Sequence, residues 1–180
     1  MAFIEHDSLD YNLKQVKKDA KQSMKKGALT KDYPFNVNEA CRLLNMALST
    51  EIMCVLRYRH HQIIAKGIDR IQVSAEFKEH AEEEEKHMLM LAERINQLGG
   101  DPDFNPSHVI KNSATEYGAS KHLKEMIEED LIAERMVIGF YRKLIEWFGL
   151  GDPTTRIVLE EILKDEEEHA NDLADLLATS

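Results

Sequence analysis

The chain has 180 residues, 43% hydrophobic and 31% charged, with four prolines, eight glycines and a net charge of −10. That length suits one domain with a real core, and that composition suits a helix-rich soluble protein. No apolar run approaches the roughly 18 residues of a membrane span, and the start, MAFIEHDSLD, lacks the basic and apolar blocks of a secretory leader, so a cytoplasmic location is expected.

Charge is distributed unevenly. Residues 12–31 hold seven lysines (Lys14, Lys17, Lys18, Lys21, Lys25, Lys26 and Lys31) against Asp19 alone, a local +6 that leaves −16 for the remainder. Residues 1–35 therefore read as a basic N-terminal arm, ended by YPF at 33–35, and residues 36–180 as the helical body. Asn36 is placed to cap a first long helix, with Glu39 three residues on, that runs to about Lys66 and stops at Gly67. Its two cysteines, Cys41 and Cys54, lie about 20 Å apart along the helix, beyond the roughly 7 Å between Cα atoms that a disulfide allows. Burial as small apolar residues is their expected role. The absence of any CxxC excludes rubredoxin-type and zinc-ribbon sites.

Ser74 is the expected cap of a second helix, which reaches Leu98 and is broken by GGDPDFNP at 99–106. Residues 107–118 leave room for one short helix. A third long helix is predicted from about Ser120 to Phe148. The GLGDP turn at 149–153 then places Asp152 as a cap and Pro153 in the first position of a fourth helix, which runs to about residue 177. No stretch alternates like a strand. Four helices of about 25–30 residues predict an all-α four-helix bundle, with a long crossover between helices two and three.

Two acidic runs, HAEEEEKHM at 80–88 and KDEEEHAND at 164–172, raise the question of function. Acid-x-x-His spacing occurs twice, at Glu84/His87 and Glu166/His169, and 33 acids with 8 histidines reach that by chance. Position on the helix is what discriminates. The apolar stripe of helix one reads Leu44, Leu48, Glu51, Val55, Tyr58, and that of helix two reads Phe77, Ala81, Glu84, Met88, Leu91, Ile95, Leu98. Helix three reads Ile127, Leu131, Glu134, Ile138, Tyr141, Ile145, and helix four reads Leu159, Ile162, Glu166, His169, Leu173, Leu176. Each helix thus carries one glutamate where an apolar residue belongs, while Glu82 and Glu85 face water. His87 follows Glu84 on the same face, as His169 follows Glu166.

Four ionised carboxylates in an apolar core are prohibitively costly unless paired or metal-bound. No lysine or arginine falls on the central part of these stripes. Two divalent cations would balance four glutamates and two neutral histidines, and carboxylates with one imidazole per ion suit iron or manganese. Two Glu-x-x-His pairs, with one glutamate from each other helix, form a known di-metal arrangement of helical bundles. Tyr58 and Tyr141 each follow a stripe glutamate by seven residues, so each phenol either hydrogen-bonds a carboxylate across the bundle or packs as core. Glu51 to Glu84 is 33 residues and Glu134 to Glu166 is 32, so the chain reads as two related hairpins. His60, His61 and His80 are packing or surface histidines, or sites on an iron path.

LNMALSTEIMCVLRYRHH, EEEEKHMLMLAERINQLGGDP, DLIAERMVIGFYRKLI and EILKDEEEHANDLADLL resemble the four helices of bacterioferritin and the Dps-like ferritins, over about residues 37–177. The resemblance implies a ferritin-like bundle with Glu84 and Glu166 as bridging carboxylates. It implies Glu51 with His87 on one metal and Glu134 with His169 on the other. Two iron ions per subunit are implied, with manganese or zinc as alternative occupants. So are a hollow homo-oligomeric cage, ferroxidase activity on Fe(II) with O2 or H2O2, and an iron store.

Departures refine these expectations. Glu85 stands where bacterioferritin has its haem-binding methionine, so haem is not expected. Only eleven residues follow His169, too few for a fifth helix, which favours 12 subunits over 24. Met136 and Arg156 stand where some Dps-like members carry a cysteine pair. A lysine-rich arm is a Dps trait, and its lysines could contact DNA phosphates without reading sequence, or simply be solvated or pack against subunits. A third reading is a di-metal oxidase or peroxidase of the rubrerythrin or manganese-catalase type, which uses the same ligands without storage.

Overall fold

A computed structural model of the chain describes residues 12–179. Among these residues all regular structure is helical: α1 (Leu13–Ser23), α2 (Val37–Ile64), α3 (Arg70–Gln97), α4 (Pro106–Asn112), α5 (Leu123–Phe148) and α6 (Pro153–Thr179), with a single 3-10 turn at Met24–Lys26. The first eleven residues of the expected arm lie outside the described part.

Helices α2 and α3 pack as one antiparallel hairpin, and α5 and α6 as another. The crossover between them climbs the outside of α2 and is pinned to it at successive heights. Asn45 binds the carbonyl of Asp101 and the amide of Asp103, the Thr50 hydroxyl accepts from the Ala114 amide, and Arg57 donates to the Glu116 carbonyl. The short α4, capped by Asn105 with Pro106 as its first residue, occupies this climb. The return to the far end of α2 lets α5 descend antiparallel to it, so that Asp130 meets Arg57 and Tyr141 meets Glu51.

Local chemistry accounts for most element ends. Asn36 accepts the Glu39 amide as predicted, while the Glu39 carboxylate pairs with Arg42. Asp152 accepts both the amide and the hydroxyl of Thr155 at the start of α6. Two expected starts are corrected. Helix α3 begins at Arg70, because Ser74 turns its hydroxyl to the Gln62 carbonyl across the hairpin instead of capping. Helix α5 begins at Leu123, because Ser120 is held by the Glu129 carboxylate, which accepts from its amide and hydroxyl.

The core is a continuous apolar cluster from all four long helices, including Leu44, Leu48, Phe77, Leu91, Ile95, Ile127, Val137, Phe148, Leu159, Ile162 and Leu173. Burial of this area is the main stabilising term. The α5 stripe is rotated slightly from expectation: Asp130, Val137 and Leu144 are buried, whereas Leu131, Ile138 and Ile145 are half-buried. Cys41 and Cys54 are free and buried. Gly100 packs so tightly on Cys41 that an added Cβ would stand 2.6 Å from its sulfur. The segment after α1 docks on the bundle through Leu29, Tyr33 and Phe35, with Phe35 stacked on Trp147 at 4.6 Å. Helix α1 itself buries no residue, and all seven arm lysines are exposed. No helix among the described residues is long and apolar enough to cross a membrane.

Candidate metal centre

Near mid-bundle, four glutamates from four helices converge. Glu51 (α2), Glu84 (α3), Glu134 (α5) and Glu166 (α6) each have no exposed surface, and His87 and His169 are 2% and 1% exposed. The 3-4 spacing that buries leucines elsewhere on each helix turns these side chains inward.

Their donor atoms form two overlapping groups. Glu51, Glu84, His87 and Glu166 bring one atom each within 4.8 Å of one another, and so do Glu84, Glu134, Glu166 and His169. Glu84 and Glu166 belong to both groups, the position of bridging carboxylates. All six residues singled out in the sequence are thus brought together in two adjacent ligand sets. Both imidazoles aim Nδ1 at the cluster. His87 Nδ1 lies 3.2 Å from Glu166 and 3.4 Å from both Glu51 and Glu84, and His169 Nδ1 lies 3.6 Å from Glu84.

The outward nitrogens are held by acids. His169 Nε2 is 2.8 Å from Glu83, and His87 Nε2 is 3.3 Å from Asp165. A carboxylate behind each imidazole fixes its orientation and raises its basicity as a ligand. Asp165 does not stand out in the sequence, and Glu83, within a turn of His87 on α3, crosses instead to His169 on α6. The tyrosines cross the bundle too: Tyr58 donates to Glu134, and Tyr141 donates to Glu51 at 2.5 Å.

These contacts leave much unmet. Glu51 Oε2, Glu84 Oε1, Glu134 Oε2, both oxygens of Glu166 and His169 Nδ1 are buried without a hydrogen-bond partner. Burial pushes the Glu51 carboxyl up to about 8, with help from the charge of Glu84. Burial and Glu84 likewise raise Glu134 and Glu166. Burial also opposes ionisation of Glu84, but the adjacent imidazoles of His169 and His87 hold it below the usual range. Burial disfavours a charged His169, yet Glu84 and the surrounding carboxylates carry it up to about 10. The carboxylates together thus call for added positive charge. The donor set of hard oxygens with one imidazole per position fits a pair of divalent first-row metals.

Basic side chains do enter the interior, away from this cluster. Arg57, 1% exposed, bonds Asp130 at 2.8 Å, and His61 Nδ1 lies 2.9 Å from the other oxygen of Asp130. Arg94 is bound to Asp152 in the same way at the opposite end. Both arginines have acids of their own and neutralise none of the four glutamates. Of the other histidines, His60 stacks on Tyr117, and His80 stacks on His169 with ring centroids 4.1 Å apart.

Comparison with known proteins identifies the family. The ferritin-like domain family matches residues 41–180. The chain is 31% identical over 144 residues to the nutrient stress-induced DNA-binding protein of Synechococcus sp., covering 78% of this chain and 82% of that one. It is 26% identical over 141 residues to bacterioferritin of Mycobacterium leprae, covering 78% and 84%. A dodecameric thioferritin, the bacterioferritin-related protein from Bacteroides fragilis, superposes with a TM-score of 0.77 at 29% identity over 91% of this chain and 94% of that one. With the bundle, its crossover and the match over residues 41–180 in agreement, the chain belongs to the ferritin-like family.

Proposed function

We propose that the protein oxidises ferrous iron at the four-glutamate, two-histidine cluster and stores the ferric product inside a homo-oligomeric cage. The observation that carries this reading is the set of six buried, unpartnered ligand atoms facing one another across two overlapping groups. Two Fe(II) ions as substrate supply four positive charges to four carboxylates, which removes the cost of burying them. Each Fe(II) gives up one electron. Dioxygen takes the pair with two protons to form hydrogen peroxide, or peroxide takes the pair with two protons to form water.

Within this reading Glu84 and Glu166 bridge, Glu51 with His87 holds one ion, and Glu134 with His169 holds the other. Tyr58 and Tyr141 hold the terminal carboxylates in place. The acidic body favours cation uptake. A cage of 12 copies is the favoured assembly, supported by the dodecameric state named for the Bacteroides fragilis protein. Anaerobic Fe(II) titration tests the site: about two ions per chain are expected, with oxidation lost in Glu84→Ala and His169→Ala. Oxidation no faster than in buffer would refute the reading.

A second reading concerns the arm. The seven lysines of residues 12–31 are all exposed, and the Synechococcus relative is named a DNA-binding protein. Non-specific phosphate contacts by this arm would give a gel shift that weakens steeply with salt and vanishes when residues 1–31 are removed. No shift at low salt would dismiss it.

A further inference from the structure

Outside the six-ligand cluster, a further set of donors converges between α3 and α6. Glu76, His80 and Asp172 bring one atom each within 4.8 Å of one another. His80 is the telling member. It is 1% exposed, and neither ring nitrogen has a hydrogen-bond partner. Its Nε2 points between two carboxylates, 3.4 Å from Glu76 Oε1 and 3.7 Å from Asp172 Oδ2. An imidazole shut away from water with both nitrogens unmet is a cost that ordinary packing does not repay. A metal held by nitrogen and oxygen at roughly 2.1 Å sets neighbouring ligand atoms about 3.0–3.5 Å apart, close to the separations seen here.

The surroundings favour a cation. Burial raises Glu76 above the usual carboxylate range, with Asp172, Glu79 and Glu83 adding repulsion. Burial likewise raises Asp172, with Glu168, Asp175 and Glu83 adding to it, while His169 is the nearby group acting in the opposite sense. The side chains of Glu76 and Asp172 are 27% and 43% exposed, so the group opens to solvent on one side. On the other side the His80 ring lies between Tyr58, edge-on at 5.2 Å, and His169, stacked at 4.1 Å.

We infer that Glu76, His80 and Asp172 form a third, mononuclear cation site in each subunit, open to solvent and adjoining the dinuclear cluster through His169. One imidazole and two carboxylates with open positions suit a divalent first-row ion such as Zn(II), Mn(II) or Fe(II) over Ca(II) or Mg(II). The site goes beyond the proposed ferroxidase reading and does not depend on it.

Zinc is the probe. The intact assembly is titrated with Zn(II) and weighed by native mass spectrometry, and zinc-soaked crystals are examined by anomalous diffraction. The expected result is one zinc fewer per chain in His80→Ala than in the unaltered protein, with an anomalous peak among Glu76, His80 and Asp172. The half-exposed Asp172→Asn is expected to lose the same zinc, which covers the case in which His80→Ala does not fold. Equal zinc counts in the unaltered protein and the variants, or no peak here while the six-ligand cluster is filled, would overturn the inference. A peak here with none at the six-ligand cluster would support the third site and count against the dinuclear reading.

Discussion

Tyr141 on α5 donates its hydroxyl to Oε1 of Glu51 on α2 at 2.5 Å, both groups having no exposed surface. Tyr58 on α2 returns the arrangement by donating to Glu134 on α5. Each helix of this pair thus supplies one carboxylate and the phenol that steadies its partner's carboxylate.

Tyr141→Phe removes the donor and leaves the ring. A buried oxygen on Glu51 then loses its partner, at a cost of about 1–3 kcal/mol in the ion-free protein. Loss of a group that orients a metal ligand also weakens metal binding roughly 10–100-fold. Zinc affinity and thermal unfolding in chelator check both effects. Unchanged affinity would mean that the phenol is packing alone.

Both carboxylate oxygens of Glu166 are buried without a hydrogen bond, with His87 Nδ1 in charge contact 3.2 Å from one of them. Glu166→Leu keeps the volume and removes the unpaired polar group. In chelator this variant is expected to unfold at a higher temperature than the unaltered protein, since apolar replacement of poorly compensated buried charge stabilises by about 1–4 kcal/mol. Added Zn(II) should raise the unfolding temperature of the unaltered protein through binding to the folded state, and raise that of the variant much less. Iron oxidation should be lost. A variant less stable than the parent in chelator would show that the four-acid cluster is not strained when empty.

The four glutamates were legible because a single acid interrupting a 3-4 apolar stripe is visible in any helix, and four such interruptions cannot all be chance. Asp130 does not stand out in the sequence, and His61 and His80 read there only as packing, surface or iron-path histidines, although all three obey the same rule. Phe77, His80, Glu84 and His87 follow steps of three, four and three, as do Ile127, Asp130, Glu134 and Val137. A stripe traced through the obvious apolar residues Leu131 and Ile138 runs one position away from that face. The partners of Glu83 and Asp165 are not legible for a different reason. Both acids sit on the half-exposed flank, and only the packing of α3 against α6 decides which histidine each one meets.

Asp152 links pH to stability at the far end of the bundle. Burial disfavours its charge, but the amide and hydroxyl of Thr155, the Tyr33 hydroxyl and Arg94 outweigh burial and hold the carboxyl below its ordinary value of 3.8. A folded-state value below the unfolded one means that the contribution is fully present above about pH 4 and is lost as pH falls through the folded value. Acid unfolding of Asp152→Asn is therefore expected to be less steep below pH 4 than that of the parent. At pH 7 the variant should be less stable, because Arg94 loses its charged partner. Parallel stability curves for the two proteins from pH 7 down to pH 2 would show that Asp152 contributes no such linkage.

Arg57 and Asp130 form a fully enclosed arginine–carboxylate ion pair, with side chains 1% and 0% exposed at 2.8 Å. Arg57 also holds the crossover through the Glu116 carbonyl and the Thr115 hydroxyl, and Asp130 accepts from His61 as well. Arg57→Ala strands a buried carboxylate and frees the crossover, so a loss of about 3–5 kcal/mol is expected. Asp130→Ala strands the guanidinium and should cost a similar amount. In the double variant neither charge is left alone, so its loss should fall short of the two single losses together by at least about 1 kcal/mol. Denaturant unfolding of the three variants against the parent measures this directly. Strict additivity would mean that the two side chains stabilise the bundle independently, through the crossover and through His61, and that the bond between them contributes little.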